Sequence, residues 1–349
     1  MYRIGTFVCA SLIATTIAAA QAQWTAQRST INGSLRGLSV VDSNVVWASG
    51  THGSYLWTRD GGMEWHAGSV PGAERLDFRD VHAVSLDTAY LMAAGTDTGR
   101  IYKTTDRGAH WALQYDDTRK GVFLDAIAFF DGKHGLAMGD PMNGRFLVLK
   151  TDDGGTHWTQ IAASAIPATL PGEAGFAASG TALVTYGTRD AWFATGGGAT
   201  ARVFRTRDGG NSWTVSKAPV AAGNEGSGIF SLAFADANHG VAVGGNYAKP
   251  DTAAVTTAYT SDGGVTWTSG TPSGATGYLS GAVYLPGSKG QQLIAVGTEG
   301  SATSRDGGKS WSNLSSNPFN VVAADQKTGR VWAAGEGGSI AVLGLATKR

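Results

Sequence analysis

Residues 58–65 read TRDGGMEW, and close copies follow at 104 (TTDRGAHW), 151 (TDDGGTHW), 206 (TRDGGNSW), 260 (TSDGGVTW) and 304 (SRDGGKSW). The closing tryptophans, Trp65, Trp111, Trp158, Trp213, Trp267 and Trp311, recur every roughly 45–55 residues, the period of a repeat architecture. A second phrase precedes each copy: VVWASG, YLMAAG, GLAMGD, AWFATG, GVAVGG and QLIAVG. A seventh, RVWAAG at 330, has no turn phrase after it. The chain therefore holds seven units, the last one incomplete.

Each unit is written in strands. In the first, RGLSVV, VVWASG, SYLWT and EWHAG are β-branched or aromatic runs, separated by DSN, THG and RDGG. Those separators are turn chemistry, and no helical period appears. Four short strands per unit predict an all-β, seven-bladed propeller of four-stranded blades. The missing outer strand of unit seven is expected from Trp24 in QWTAQRS, with residues 319–345 supplying the other three. An N-terminal strand would then close the ring and leave no open edge.

The repeated phrase has a structural reason for each residue. Its Asp can accept N–H groups of its own turn. Its Gly can take positive φ, and its Trp can bury a large aromatic area against a neighbouring blade. Asp60, Asp106, Asp153, Asp208, Asp262 and Asp306 are thus read as scaffold, not as catalytic carboxylates. Arg107 alone interrupts the usual Gly-Gly pair.

Composition narrows the function classes. Of 349 residues, 51 are Gly, which suits many tight turns, and Lys+Arg and Asp+Glu are both 27. A neutral chain is a poor candidate for nucleic acid. MYRIGTFVCASLIATTIAAAQAQ at the start reads as a signal peptide over 1–22. The rest, 23–349, reads as one propeller, exported to the periplasm or the medium. The one cysteine, Cys9, leaves with the signal, so no disulfide is expected. No later run is long and apolar enough for a transmembrane segment, and a monomer is expected.

The turn phrases match the Asp-box, or BNR repeat, of sialidases and other propellers, although sialidases have six blades. SLRGLSVVDSNVVWASG, DFRDVHAV, FLDAIAFFDGKHGLAMGDPMNGRF, GEAGFAASGT and GIFSLAFADANHGVAVGGNY resemble exported bacterial propellers of the photosystem II stability/assembly-factor-like group. The resemblance implies a seven-bladed module that binds a partner.

Propeller topology puts the turn phrases on one face. The inter-blade loops, and the loops between second and third strands, lie on the other, around the channel mouth. That mouth is expected to gather Arg36, Arg79, Asp80, Arg145, Arg202, Tyr247 and Tyr278 as ligand-binding residues. Arginine forks hold carboxylates or phosphates, so the partner is a protein or an anionic glycan. In the alternative reading, a sialidase-like glycoside hydrolase, Tyr247, Glu173 and Asp140 are the catalytic candidates on the same face. No metal spacing, phosphate loop or cofactor motif occurs, so no metal and no cofactor are expected; an oxidoreductase would need one. His134 and His239 sit in matching turns, and His110 and His157 sit inside the repeated phrase.

Overall fold

The computed structural model describes residues 22–251, 255–273 and 277–344. Residues 1–21 of the expected signal peptide, Cys9 among them, lie outside the described residues. The described chain forms seven sheets, antiparallel except for one added strand, with only two single-turn 3-10 segments. In blade one the strands are Leu35–Val40, Val46–Gly50, Ser54–Thr58 and His66–Ser69. The first strands of successive blades lie side by side in a closed ring: Leu35–Val40, Asp77–Ala83, Leu124–Phe129, Leu183–Tyr186, Ser227–Phe234, Gly281–Tyr284 and Val321–Ala324. Blade six gains a fifth strand that the repeat does not announce, Thr271–Ser273, parallel to Ser310–Ser315.

The ring closes as the sequence predicts. Gln23–Gln27 pairs antiparallel with Ile340–Gly344, completing a blade with Val321–Ala324 and Val331–Ala334. The closing strand is also clamped to both neighbours. Trp24 Nε1 donates to Ser301 Oγ in blade six (3.0 Å), and its ring lies 5.0 Å from that of Phe319. Gln27 Nε2 donates to the Gly61 carbonyl (3.0 Å), while its Oε1 accepts from Trp65 Nε1 (3.1 Å), both in blade one.

The six turn phrases share one hydrogen-bond scheme. In the first, Thr58 Oγ1 donates to Asp60 Oδ1 (2.8 Å) and accepts from the Gly62 N–H (2.9 Å); the Glu64 N–H donates to Asp60 Oδ1 (3.0 Å). Asp106, Asp153, Asp208, Asp262 and Asp306 repeat the pattern. His110 and His157 each add a ring-nitrogen contact to the same Asp. These bonds favour the charged carboxylate and hold Asp106, Asp153 and Asp262 down near about 2. The turn runs through Gly61 (φ 73) and Gly62 (φ 88), and Arg107 takes the left-handed position (φ 63) that Gly fills elsewhere. Trp65, Trp213 and Trp311 are buried and Trp111, Trp158 and Trp267 half-buried; Trp65 packs with Val321 and Trp332 of blade seven.

Side chains stitch each blade to the next around the ring. Ser49 Oγ donates to the Phe78 carbonyl (3.2 Å), Thr185 Oγ1 to the Phe129 carbonyl (2.9 Å), and Thr181 Oγ1 to Ser231 Oγ (2.7 Å). Ser231 Oγ accepts from the Ala282 N–H (3.0 Å). Ser280 Oγ donates to the Asn320 carbonyl (2.7 Å), and Asn320 Nδ2 to the Leu35 carbonyl (3.0 Å). Asp80 completes the belt between blades two and three: it is buried and accepts from the N–H groups of Val81 (2.7 Å) and Ile127 (2.8 Å).

Two outcomes follow from the closure and the belt. Deleting residues 23–27 removes a five-residue ladder and three side-chain clamps at roughly 1 kcal/mol per hydrogen bond. The melting temperature is expected to fall on the order of 10 °C; an unchanged melt would refute closure by this strand. Burial pushes Asp80 up to about 7. Its contribution is therefore fully present below the ordinary carboxylate range and is lost as pH rises toward 7, because the unfolded chain ionises first. Melting curves across pH 4–8 should slope less for Asp80→Asn than for the wild type.

Candidate functional site

Four of the first strands carry a β-bulge, and each bulge aims one residue at the channel mouth. The register slips between Leu35 and Gly37, Phe78 and Asp80, Leu124 and Ala126, and Ile229 and Ser231. The unpaired residues are Arg36, Arg79, Asp125 and Phe230, and all four line one cavity of about 510 Å³. Bulges re-aim side chains in this way at the rims of β-structures. Arg36 and Arg79, whose alignment the repeat leaves uncertain by a residue, are thus equivalent positions of adjacent blades.

The floor of the cavity comes from the segment between blades three and four. Residues 173–181, EAGFAASGT, cross the channel axis. The Ala177 carbonyl accepts from Arg79 Nη1 of blade two (3.3 Å), and the Gly175 N–H donates to Asp140 Oδ1 of blade three (2.9 Å). Phe176 stacks on Phe230 of blade five (ring centroids 3.9 Å). Ser179 Oγ donates to the Ser280 carbonyl of blade six (2.6 Å). Small residues make this crossing possible: a Cβ at Gly175 would overlap the Asp125 carboxyl, and one at Gly180 that of Asp80. Ala177 and Ala178 line the mouth cavity, whereas Thr181 lines an apolar cavity of about 590 Å³ on the other side. The segment thus lies between the two cavities.

Its electrostatics are uneven. Arg36 and Arg79 are close enough for Arg36 to lower the Arg79 pKa, after the larger effect of burial. Their side chains are 28% and 27% exposed, and their ion pairs are long, Arg36–Glu336 at 3.5 Å and Arg79–Asp77 at 3.4 Å. Arg79 Nε has no hydrogen-bond partner among the described residues. Asp125 is 1% exposed, and neither of its oxygens has such a partner. Burial, then the nearby Asp140, hold it well above the ordinary carboxylate range, and burial also raises Asp140. Two arginines thus face the cavity, each with one long ion pair, beside Asp125, Asp140 and Glu336 of the same lining. The aromatic side is Phe176, Phe230, Tyr278 and Tyr247; Tyr278 meets Phe230 edge-on (4.7 Å), and Tyr247 is 54% exposed.

Of the residues read from the sequence, Arg36, Arg79, Asp140, Tyr247 and Tyr278 come together here. Asp80 does not; it belongs to the inter-blade belt. Glu173 and Arg202 form a buried pair elsewhere, with side chains 0% and 9% exposed. Glu173 also accepts from Thr195 Oγ1 (2.6 Å) and the Leu170 N–H (2.8 Å), and Arg202 donates to the Ala168 carbonyl (2.9 Å). The pair fixes the entry to the channel-crossing segment and leaves no oxygen to face a substrate. Arg145 donates to the Ile166 carbonyl, outside the cavity. Asp125, Phe176 and Phe230 are the contributors that sequence reading missed. The signal was there in LRGL, FRDV, LDAI and IFSL, four fragments that put Arg36, Arg79, Asp125 and Phe230 at one position of the repeat. Among the described residues no cluster of His, Cys, Asp and Glu suits a metal ion, and no helix is long and apolar enough to cross a membrane.

No protein-family model matches the chain. It is 31% identical over 126 residues to the photosystem II assembly lipoprotein Ycf48 of Synechococcus sp. (strain CC9902). That stretch is 35% of this chain and 32% of the relative, so the match spans about a third of the relative's length. A solved structure of Ycf48 bound to D1 peptide superposes with a TM-score of 0.61 at 15% identity, over 92% of this chain and 97% of that one. Ycf48 from Cyanidioschyzon merolae gives 0.61 at 16%, over 92% and 98%. The GH74 xyloglucanase of Xanthomonas campestris gives 0.62 at 17%, over 92% of this chain and 53% of that one. At these identities the structural likeness speaks for the propeller fold alone, shared by an assembly factor and a glycoside hydrolase. The sequence match over part of the chain is to the assembly factor, in keeping with the resemblance read from the sequence.

Proposed function

We propose that this chain is an exported, monomeric binding module of the assembly-factor kind, which holds a carboxylate-bearing segment of a protein partner in its channel-mouth cavity. One observation carries the reading: Arg36 and Arg79, re-aimed by matching bulges, share one cavity, their ion pairs are long, and Arg79 Nε has no partner among the described residues. Two like charges held together in this way are relieved by an anion, and guanidinium forks take carboxylates bidentately. The aromatic side gives such a segment an apolar surface to lie against. The partial sequence match to an assembly lipoprotein, and the peptide bound by the related propeller, support a protein as the partner.

The glycoside hydrolase reading has one observation in its favour, the raised pKa values of Asp125 and Asp140 at one cavity. A hydrolase needs a carboxyl pair open to substrate, and the Asp125 oxygens are covered. Glu173, the carboxylate expected to act with Tyr247, is spent on Arg202.

The test uses fluorescein-labelled peptides rich in Phe, Asp and Glu, beside counterparts with Asn and Gln. The acidic set should bind the wild type. Arg36→Ala with Arg79→Ala should weaken binding at least tenfold, since charge-assisted bonds of about 1.5–3 kcal/mol are lost, with little change in the melt. Equal binding by both peptide sets would contradict the proposal. So would turnover of fluorogenic glycosides or xyloglucan that vanishes in the double variant.

A further inference from the structure

The anion cavity does not end at Arg36. Thr298, Asn320 and Glu336 line it and also line a second cavity of about 470 Å³. This second space is an apolar slot beneath the ring-closing strand, walled by Trp24, Ala26, Pro318, Phe319, Ile340 and Ala341. The divide between the two is polar. Glu336 Oε1 accepts from Ser34 Oγ (2.7 Å), Asn320 Nδ2 (3.1 Å) and, more weakly, Arg36 (3.5 Å). The Glu336 side chain is 65% exposed, so its other oxygen can accept from a chain passing above it. An arginine pair, an exposed acceptor and an aromatic-walled slot therefore follow one another from the channel axis toward blade seven's edge.

We propose that the partner is an extended polypeptide segment with a carboxylate next to a large apolar side chain, the carboxylate held by Arg36 and Arg79 and the apolar group in the slot beside Trp24 and Phe319. This rests on the proposed function and deepens it, by naming a second contact that the anion reading does not require. Charge complementarity selects the first group, and the lining of the adjoining slot selects the second. A large apolar side chain removed from water there adds affinity in proportion to the area it buries. An extended chain can span adjoining cavities while its backbone N–H groups meet Glu336.

The experiment is a binding cycle by fluorescence anisotropy. The probes are labelled Gly/Ser peptides carrying Phe-Glu or Glu-Phe, with Phe→Ala and Glu→Gln counterparts. Ala26 is exposed on the outermost strand, so Ala26→Trp can fill the slot without disturbing the core; Ser339→Trp fills it from the other side should the first variant melt early. Phe→Ala should weaken wild-type binding at least fivefold and change little in the filled variant. If Phe→Ala has no effect on the wild type while Glu→Gln and the double arginine variant abolish binding, the slot proposal falls and the anion site stands. If Glu→Gln has no effect either, both fall.

Discussion

Seven sheets arranged about an axis hold together only if every first strand is tied to the next and the last blade is tied to the first. Here side-chain bonds from Ser49, Asp80, Thr185, Thr181, Ser231, Ser280 and Asn320 tie each boundary, beside inter-blade backbone bonds and apolar packing. Because the ring is closed, no tie acts alone. The closing strand matters in the same sense, since Trp24 and Gln27 reach into blades six and one and lock a sheet made from both ends of the chain. The repeated turns serve this frame: each Asp is spent on its own loop, and the tryptophans fill the wedges between blades.

A rigid frame makes small departures informative. Where the repeat is kept, first strands run without interruption. At four bulges one residue leaves the ladder and enters the channel mouth, and the residue types there are two arginines, an aspartate and a phenylalanine. The segment that crosses the channel supplies the floor of that cavity. Its entry is fixed by the buried Glu173–Arg202 pair. Breaking such a pair leaves a buried charge uncompensated, typically at several kcal/mol. That pair therefore acts on the cavity's shape rather than on a ligand directly.

The architecture was readable because its signal is redundant. Six Asp turns and seven middle strands state the period, and Trp24 is the outer-strand residue that the seventh unit lacks. Half of the site was readable for the same reason: Arg36, Arg79, Asp140, Tyr247 and Tyr278 lie where the topology puts loops and strand entries. Asp125 and Phe230 were readable only by aligning them with Arg36 and Arg79 at one repeat position, and Phe176 was not, because it lies in a segment outside the repeat. GEAGFAASGT carries no charge pattern that announces a channel crossing; its small residues matter only against Asp125 and Asp80 in other blades. Glu173 and Arg202 look like loop charges until each is seen to be the other's partner. Thr271–Ser273 pairs parallel with a strand far ahead of it, which no local pattern encodes.

The central claim is a division of labour: one face holds the ring together and the other binds. Backbone hydrogen exchange, followed by mass spectrometry with and without a saturating acidic Phe-containing peptide, tests it most directly. Slowed exchange should be confined to residues 173–181 and to the loops around Tyr247 and Glu336, with the turn phrases at 58–65, 206–213 and 304–311 unchanged. Protection of those turns instead, with the channel mouth exchanging as before, would place binding on the face assigned to the scaffold and contradict the claim.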